Sequence, residues 1–368
     1  MTSKILIMPD SFKGSMSSKE VTEIIAKAAK RKGIDSVSLP IADGGEGTVE
    51  CILNILGGRK VHLAVCGPDG KKTEAYYGVA NEDTAIIEIA ESSGITKQDK
   101  LNPMTSNTYG FGELIRDALD KGYRKFLLCL GGSATTDCGL GMAAALGTKL
   151  YDKENNEVVP CGETLIDIKK VDISGLDPRI GEASFRVMSD VESPLYGEKG
   201  AAYVFSPQKG AKDAEVKTLD EGLRAVSLAI REATGVDFEG LKGAGAAGGS
   251  GYGCKAFLKA EIVSGINAML DLYDFDSKVK DCDFIVTGEG KLDSQSLMGK
   301  VLSGIKARAG DKKIVSFCGS LLAEKEELKL GNITAVEISK GISIEESIKN
   351  GSVYLEKAAE RFFENMEV

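Results

Sequence analysis

The two ends of the chain carry the same local pattern, and the middle lacks it. An apolar run at residues 4–8 leads into a polar loop and then into a helical pattern, and a second such unit reaches the loop at 43–48. The pattern returns late in the chain, where the apolar run 284–287 ends in the loop 288–293. Repeated strand–loop–helix units predict a parallel sheet with helices on its faces.

The middle of the chain has a different character. Residues 60–90 alternate between apolar and polar with period two and carry a turn signal at 67–70, which predicts antiparallel strands. We therefore expect a doubly wound, flavodoxin-like or Rossmann-like parallel-sheet domain built from residues 1–60 and 276–368. A mixed α/β domain, residues 61–275, is expected to be inserted into it, with an active-site cleft between the two.

Charge and hydropathy exclude several classes of partner. The chain has 368 residues with a formal net charge of −9 and no basic block, which argues against nucleic acid and anionic membranes as partners. No apolar run approaches the ~18 residues of a membrane span, and the N-terminus is too quickly polar for a signal peptide. A small anionic substrate remains compatible with this balance, and so does a homodimer.

Histidine and cysteine usage narrows the chemistry. His62 is the only histidine, so sites with several histidine ligands are excluded, and its place in an alternating run favours a strand residue over a catalytic one. The eight cysteines include no C-x-x-C pair, which predicts reduced thiols in a cytoplasmic protein. Proton transfer is then expected from carboxylates or lysines.

Polar residues gather in the loops that follow the predicted terminal strands. In open α/β sheets ligands bind at the carboxyl ends of the strands, so these loops are expected to line a polar cleft. Helix capping also favours Asp and Ser at such positions, but two similar acidic glycine loops exceed what capping requires. The candidate residues are Asp10, Ser11, Phe12, Lys13, Asp43, Gly44, Gly45, Glu46, Glu289 and Asp293.

A glycine-rich turn at 131–141 follows the apolar run 126–130 and precedes a helical pattern. Glycines allow backbone N–H groups to approach a ligand closely, and a helix N-terminus attracts anions. Phosphate binding is one interpretation, and tight packing of helix on sheet is the other. The phosphate interpretation names Gly131, Gly132, Ser133, Ala134 and Thr135.

Other nucleotide-binding motifs are weak or absent. Gly70-Lys71 and Gly299-Lys300 lack the upstream glycine of a Walker A motif. Residues 243–248 fit G-x-G-x-x-G but follow a loop, and no acidic residue is placed to hold a ribose. A nicotinamide-dependent oxidoreductase of small hydroxy acids therefore remains an alternative, and so does a non-catalytic binding protein for nucleotides or sugar acids.

Phosphoryl transfer accounts for more of these features. It needs N–H groups around the phosphates, a cation, carboxylates for Mg²⁺ and a carboxylate near the accepting hydroxyl. The glycine loops, Lys13 and the acidic loops supply these groups. Asp190 follows the apolar run 185–188 and is expected at a strand end facing the cleft, although a turn-forming role fits it equally well.

Several glycine-rich or polar segments recur along almost the whole chain. They are P-D-S-F-K-G-S (9–15), I-A-D-G-G-E-G-T (41–48), N-P-M-T-S-N-T-Y-G-F-G-E-L-I (102–115), G-G-S-A-T-T-D-C-G-L-G-M (131–142), S-P-Q-K-G-A (206–211), G-A-G-A-A-G-G (243–249) and T-G-E-G-K-L-D-S-Q-S (287–296). Together these segments resemble the signature blocks of the bacterial type 1 glycerate kinase family. The resemblance implies ATP-dependent phosphorylation of D-glycerate, two α/β domains with a cleft between them and usually 2-phosphoglycerate as product, with 3-phosphoglycerate left open. The chain departs from the family pattern at Thr136 and Val301.

The resemblance also suggests roles for the candidate residues. D-Glycerate is expected to bind through its carboxylate to Lys13, near Asp10, Ser11, Phe12, Gly44 and Gly45, and ATP through its phosphates to residues 131–135. Asp190, Lys13 and Asp43 are the predicted catalytic residues. Mg²⁺ is expected to use one or two of the carboxylates, with Glu46, Glu289 and Asp293 as the predicted ligands.

Overall fold

The computed structural model describes residues 3–42, 44–238, 240–293, 301–330 and 332–366. The chain divides into two compact units, of which unit 1 is Met1–Ala42 with Ile266–Val368 and unit 2 is Asp43–Gly265. Unit 1 is thus built from both ends of the chain. The first boundary falls at residue 42 rather than at the expected residue 60, and the second falls at 265 rather than 275.

The described residues form thirteen strands, which in chain order are β1 Lys4–Ile7, β2 Asp35–Ser38, β3 Arg59–Cys66, β4 Lys72–Ala80, β5 Thr84–Glu88, β6 Lys125–Cys129, β7 Lys149–Tyr151, β8 Lys170–Asp172, β9 Ser184–Met188, β10 Glu261–Val263, β11 Phe284–Leu292, β12 Lys313–Leu321 and β13 Ile333–Glu337.

They also form fourteen α-helices, which are α1 Ser18–Arg31, α2 Thr48–Leu56, α3 Ile89–Ser93, α4 Tyr109–Asp120, α5 Leu140–Ala145, α6 Ala201–Phe205, α7 Asp213–Thr234, α8 Ala246–Leu258, α9 Gly265–Leu272, α10 Phe275–Lys278, α11 Val301–Arg308, α12 Lys325–Leu330, α13 Ile344–Lys349 and α14 Gly351–Glu364.

Unit 1 contains a five-stranded sheet in the order β13-β12-β11-β1-β2, and all of its pairs are parallel. The chain winds outward in both directions from β1, which is the flavodoxin-like order. Helix α1 begins with a capping box, in which Ser17 and Glu20 each accept the other's backbone N–H. Its apolar stripe and that of α14 pack on the sheet face that carries Ile5 and Ile7.

Unit 2 contains a six-stranded sheet in the order β10-β9-β6-β5-β4-β3. Strands β5, β6, β9 and β10 are parallel, whereas β3 and β4 are antiparallel to their neighbours, as the alternation over residues 60–90 predicts. The carboxyl ends of four parallel strands therefore share one edge of this sheet. Such an edge is where ligands bind in open α/β sheets.

Helix α2 explains why unit 2 begins before residue 60. A Cβ atom on Gly78 of β4 would lie 2.7 Å from Val49 and 3.3 Å from Leu53, so α2 lies directly on this strand. The Glu88 carboxylate at the end of β5 accepts the N–H groups of Gly47 and Val49 at the start of α2. The amphipathic pattern of α2 predicts a helix but does not specify which sheet the helix covers.

The remaining expectations for histidine and cysteine agree with the structure. His62 is exposed on β3, with its ring tilted against that of Tyr76 at a centroid distance of 5.4 Å. None of the eight cysteines, all of which lie in the described residues, is in a disulfide, and five of them are buried. None of the helices in the described residues is both long enough and apolar enough to cross a membrane.

Candidate functional site

Unit 1 has a pocket of about 530 Å³ at the carboxyl ends of β1, β11, β12 and β13. It lies where the strand order reverses between β1 and β11, which is the position of ligand sites in this fold class. The predicted residues of unit 1 come together here, because the pocket lining includes Asp10, Ser11, Phe12, Lys13, Glu289 and Asp293.

The loop after β1 is held by backbone bonds and by a buried ring. Asp10 N–H donates to the Gly288 carbonyl at 2.8 Å, and Phe12 and Met16 exchange backbone hydrogen bonds at 2.9 Å. The Phe12 ring is 3% exposed and packs over Gly288, so it anchors the loop more than it faces a ligand. Lys13 is exposed at the loop tip and forms no ion pair with the described residues.

Strand β11 carries the charged wall of this pocket. Glu289 and Lys291 are two residues apart and therefore point to the same face of the strand. Asp293 follows, and its Oδ2 lies 2.8 Å from the Lys291 ammonium nitrogen. Glu46, the third predicted metal ligand, belongs to unit 2, so unit 1 brings together only two of the three.

Two carboxylates, that of Glu289 on β11 and that of Asp293 just after it, suit a magnesium ion that is shared with phosphates. Within the described ranges, no group of three or more His, Cys, Asp and Glu side chains is arranged as a metal cage. Mg²⁺ in kinases uses one or two carboxylates together with substrate phosphates and water, rather than a cage built only by the protein. Glu289 and Asp293 fit that donor set because both line one pocket with oxygen ligands.

The sheet edge of unit 2 brings together the second predicted loop and the glycine-rich turn. Gly131 N–H donates to the Gly44 carbonyl at 3.0 Å. A Cβ on Gly131 would lie 2.6 Å from the Gly45 Cα, and a Cβ on Gly44 would lie 3.3 Å from Met188 at the end of β9. A side chain at residue 131 would therefore displace backbone atoms, and Gly44 adopts a positive φ of 82°, which favours glycine. Glu46 is exposed beside them, and Asp43 lies outside the described residues.

Only the first part of the glycine-rich turn is accessible. Gly132 is exposed and Gly131 is half-buried, whereas Ala134 and Thr135 have no exposed surface and Ser133 is 5% exposed. The Ala134 N–H is already bonded to the carbonyl of Ser93 at 2.9 Å. Of the five residues predicted to bind phosphate, only Gly132 is exposed, because Gly131 is half-buried with its N–H bonded to Gly44 and the following three residues are buried.

A buried carboxylate organises the rest of the turn. Asp137 is completely buried and accepts four hydrogen bonds, from the Thr108 N–H and hydroxyl at 2.7 Å each and from the N–H groups of Gly139 and Gly141. Burial raises its pKa, while these donors act in the opposite direction. Thr136, where the chain departs from the family pattern, pairs its hydroxyl with that of Ser206 at 3.1 Å.

Lys209 is a functional candidate that the sequence analysis does not single out. Its side chain is buried under the turn, and its ammonium donates to the Ser133 hydroxyl at 3.0 Å and the Thr135 carbonyl at 2.6 Å. Burial lowers the pKa of Lys209 to about 7, with Asp137 opposing the shift. The 206–211 segment contains this lysine, but a lysine in a polar loop is ordinarily solvated, so composition gives no signal.

Glu88 is a second residue of this kind. It ends β5 without exposed surface, and it accepts the N–H of Val49 at 2.5 Å and that of Gly47 at 3.1 Å. Burial raises the pKa of Glu88 to about 7, assisted by the charges of Glu91 and Glu46 and opposed by the two N–H donors. The carboxyl group ties the loop before α2 to the sheet edge.

Asp190 lies two residues beyond β9, at the strand end that the sequence predicts. Its carboxylate is exposed, and Oδ1 accepts the N–H of Gly265 at 2.9 Å, at the start of α9. Oδ2 has no hydrogen bond to the described residues. Asp190 therefore combines a capping role with one oxygen available to a ligand.

The glycines of 243–253 are used for packing. A Cβ on Gly248 would lie 2.1 Å from the Thr135 carbonyl oxygen, and one on Gly253 would lie 2.4 Å from that of Cys138. The segment also lacks the strand-to-helix position of a dinucleotide fingerprint, because α8 follows a turn. The packing interpretation accounts for this motif, and these glycines fix the back of the 131–141 turn.

Comparisons with known proteins agree with one another. A family model described as the glycerate kinase family matches residues 5–367. The chain is 42% identical over 325 residues to "Glycerate 2-kinase" of Escherichia coli (strain K12), covering 86% of this chain and 85% of that protein. It is 38% identical over 365 residues to "Glycerate kinase" of Bacillus subtilis (strain 168), covering 97% and 96%. A crystal structure of putative glycerate kinase 2 from Salmonella typhimurium LT2 superimposes with a TM-score of 0.84 at 36% identity, covering 99% and 98%.

Proposed function

The chain belongs to the glycerate kinase family, and we propose that it transfers the γ-phosphoryl group of ATP to D-glycerate. It is thus a phosphotransferase with an alcohol group as acceptor. The observation that carries the proposal is the pocket of unit 1, where an exposed lysine shares a lining with two carboxylates at the switch point of a parallel sheet. Anion binding and metal-assisted phosphoryl transfer need these groups.

Lys13 is proposed to bind the carboxylate of D-glycerate. An ammonium group at a loop tip meets an anion with little loss of other contacts, and Lys13 forms no ion pair with the described residues that a substrate must first break. The Ser11 hydroxyl and the backbone of the same loop line the pocket beside it. Positioning of this kind provides much of the rate enhancement in phosphoryl transfer.

The backbone N–H of the exposed Gly132 is proposed to contact the phosphates of ATP. Glu289 and Asp293 would hold a Mg²⁺ ion, which supplies neutralisation of the charge on the transferred phosphoryl group. Asp293 is ion-paired with Lys291 at 2.8 Å, and this lysine is a second cation for the same pocket. Preorganised charges of this kind act without reorganisation at the moment of transfer.

Asp190 is proposed to accept or orient the proton of the attacking hydroxyl through Oδ2, while Oδ1 stays bonded to Gly265 N–H. We propose that the 2-hydroxyl of glycerate accepts the phosphoryl group, which would give 2-phospho-D-glycerate. Asp43 is proposed as a further catalytic residue, and this proposal rests only on the resemblance of its loop to the glycerate kinase family.

One coupled assay tests the function directly. The protein is incubated with ATP, Mg²⁺ and D-glycerate, ADP release is followed, and ³¹P NMR identifies the product. We expect glycerate-dependent ADP release with a 2-phosphoglycerate signal. ADP release without any phosphoglycerate, or a glycerate-dependent absorbance change at 340 nm with NAD(P), would refute the proposed reaction, and a 3-phosphoglycerate signal would refute the assignment of the hydroxyl.

The role of Asp190 has its own variant. Asp190→Asn keeps a hydrogen-bond acceptor for Gly265 but loses the anionic oxygen, so kcat is expected to fall by about 10²–10⁴-fold, the usual contribution of a general base. Asp167→Asn, an exposed aspartate of the same unit, is the matched control and should leave kcat unchanged. Near-normal kcat in Asp190→Asn would remove the assigned base.

A further inference from the structure

Unit 1 contains a second cavity that the proposed reaction does not use. A groove of about 720 Å³ runs between α14 and the strands β12 and β13. Its floor is apolar, with Phe284, Val315 and Val336 from the sheet and Phe362 from the helix. This volume lies within the range of ordinary small-molecule sites, which also have apolar walls and a few polar groups.

The packing of α14 explains why the groove is open. Leu355, Ala359 and Phe363 of this helix are buried in the core that it shares with α1. The adjacent stripe of the helix, which includes Ala358 and Phe362, lines the groove instead. Strand β13 is the sheet edge, so the helix covers this sheet face only in part.

Three cations border the groove. Lys313, Lys357 and Arg361 line it, and all three are exposed. None of them forms an ion pair within the described part of the chain. In a protein with a net charge of −9, three such cations around an apolar floor form a local site for an anion.

The positive and negative side chains that line the groove lie toward different ends of it. Lys313 begins β12, whereas Glu337 ends β13 and pairs with Cys318, so the two lie roughly 16 Å apart along the strands. Helix α14 begins beside Ser15, which follows the carboxyl end of β1. Arg361 is ten residues further on, roughly 15 Å down the helix and toward the Lys313 end. The groove is therefore cationic at one end and carries a carboxylate at the other.

We propose that this groove is a binding site for an elongated organic anion. A carboxylate or phosphate group would pair with Lys313 and Arg361, and an apolar chain or ring would lie along Val336 and Phe362. Glu337 and Ile338 at the far end also line the 530 Å³ pocket. A ligand that fills the groove therefore reaches residues that the two cavities share.

Octanoate is a suitable probe because it joins a carboxylate to an apolar chain, and octan-1-ol is its uncharged match. Binding is measured by isothermal titration calorimetry on the full-length protein without ATP or glycerate, so the result does not depend on the proposed function. We expect saturable one-to-one binding of octanoate, at least tenfold weaker binding of octan-1-ol and no binding of acetate. Absence of octanoate binding at millimolar concentration, or equal affinity for the alcohol, would overturn the proposal.

Two variants locate the binding. Lys313→Glu with Arg361→Glu reverses the charge at one end and should weaken octanoate binding at least tenfold, and Ala358→Trp should block the apolar floor without changing charge. Lys306→Glu, an exposed lysine on α11 that does not line the groove, is the control. Circular dichroism verifies folding of each variant. Unchanged octanoate affinity in either groove variant would reject the site. The site would also be rejected if octanoate failed to bind and the protein were instead a dimer that Ala358→Trp dissociates, because the groove would then be an interface between two copies of the chain.

Discussion

The loop after β1 in unit 1 and the turn after β6 in unit 2 both follow a central parallel strand, but they are secured in different ways. The first is closed by backbone bonds and leaves Lys13 exposed. The second is held by Asp137 and Lys209, two buried ionisable residues that lie beneath the exposed Gly132. The loop of unit 1 therefore offers an exposed ammonium group, and the turn of unit 2 offers an exposed backbone segment held by buried contacts.

This difference separates stability from function. Buried polar networks are stable only when every member is satisfied, so their removal is expected to lower the free energy of unfolding. Exposed side chains without such contacts change stability little when they are replaced. Substitutions in the turn after β6 should therefore lower the free energy of unfolding. Substitutions in the loop after β1 should lower catalytic activity and leave the free energy of unfolding unchanged.

The largest expected effect comes from Asp137→Ala. It leaves the donors of Thr108, Gly139 and Gly141 buried without an acceptor, so the free energy of unfolding should fall by about 3–5 kcal/mol. Urea denaturation monitored by circular dichroism measures this change. A midpoint equal to that of the parent protein would show that the network does not hold the turn, and the contrast between the two regions would fail.

Lys13→Ala is the counterpart in unit 1. The lost ammonium should lower kcat/KM for D-glycerate by about 100-fold, equivalent to roughly 2.7 kcal/mol, while the urea midpoint stays within experimental error. Lys27→Ala on α1 is the matched control, because it removes another exposed lysine of the same unit. Equal kcat/KM for D-glycerate in the two variants would show that Lys13 does not bind the substrate carboxylate.

Gly131→Ala tests how closely the turn approaches the 44–45 loop. The added Cβ would lie 2.6 Å from Gly45 Cα and 2.8 Å from the Gly44 carbonyl oxygen. Displacing backbone atoms is expected to cost about 2–3 kcal/mol of stability and to raise KM for ATP. Gly181→Ala in the same unit meets no atom within 4 Å and serves as control. Equal midpoints of thermal unfolding in the two variants would contradict the close approach of the turn to the 44–45 loop.

The most gradual effect concerns pH. The pKa of Glu88 rises from 4.5 to about 7 on folding, so its contribution to stability is complete below pH 4.5 and is lost as the pH rises through 7. The slope is at most about 1.4 kcal/mol per pH unit. In Glu88→Gln, the urea midpoint should depend less on pH between pH 4.5 and 7. Glu163→Gln, at an exposed glutamate of the same unit, is the control and should retain the slope. A parent protein with no slope in this range would exclude the assignment.

Much of the fold follows from periodicity. The terminal strands, the capping box at Ser17 and the antiparallel alternation of 60–90 each have local signals, and each is observed. The boundary at residue 42 has no local signal, because the apolar stripe of α2 fits either sheet. It is decided by a tertiary contact, the approach of Val49 to Gly78, which only the absence of a side chain at residue 78 permits.

The candidate site is harder to predict from the sequence than the fold is. Motif composition identifies the loops, and the pocket gathers Lys13, Glu289 and Asp293 as expected. Composition does not distinguish a glycine that faces a ligand from a residue that supports it, so Ala134 and Thr135 are interior although they share a motif with Gly132. Lys209 and Glu88 gain their character only from burial, which depends on contacts with distant segments.

The pairing of β1 with β11 also has a consequence for synthesis of the chain. β1 and β2 emerge first from the ribosome and are neighbours in the sheet, but the strand on the other side of β1 begins only at Phe284. At about 5–20 residues per second, that edge of β1 stays unpaired for roughly 10–50 s, during which unit 2, which is continuous in sequence, is made in full. The sheet of unit 1 can therefore be completed only after the whole of unit 2 has been synthesised.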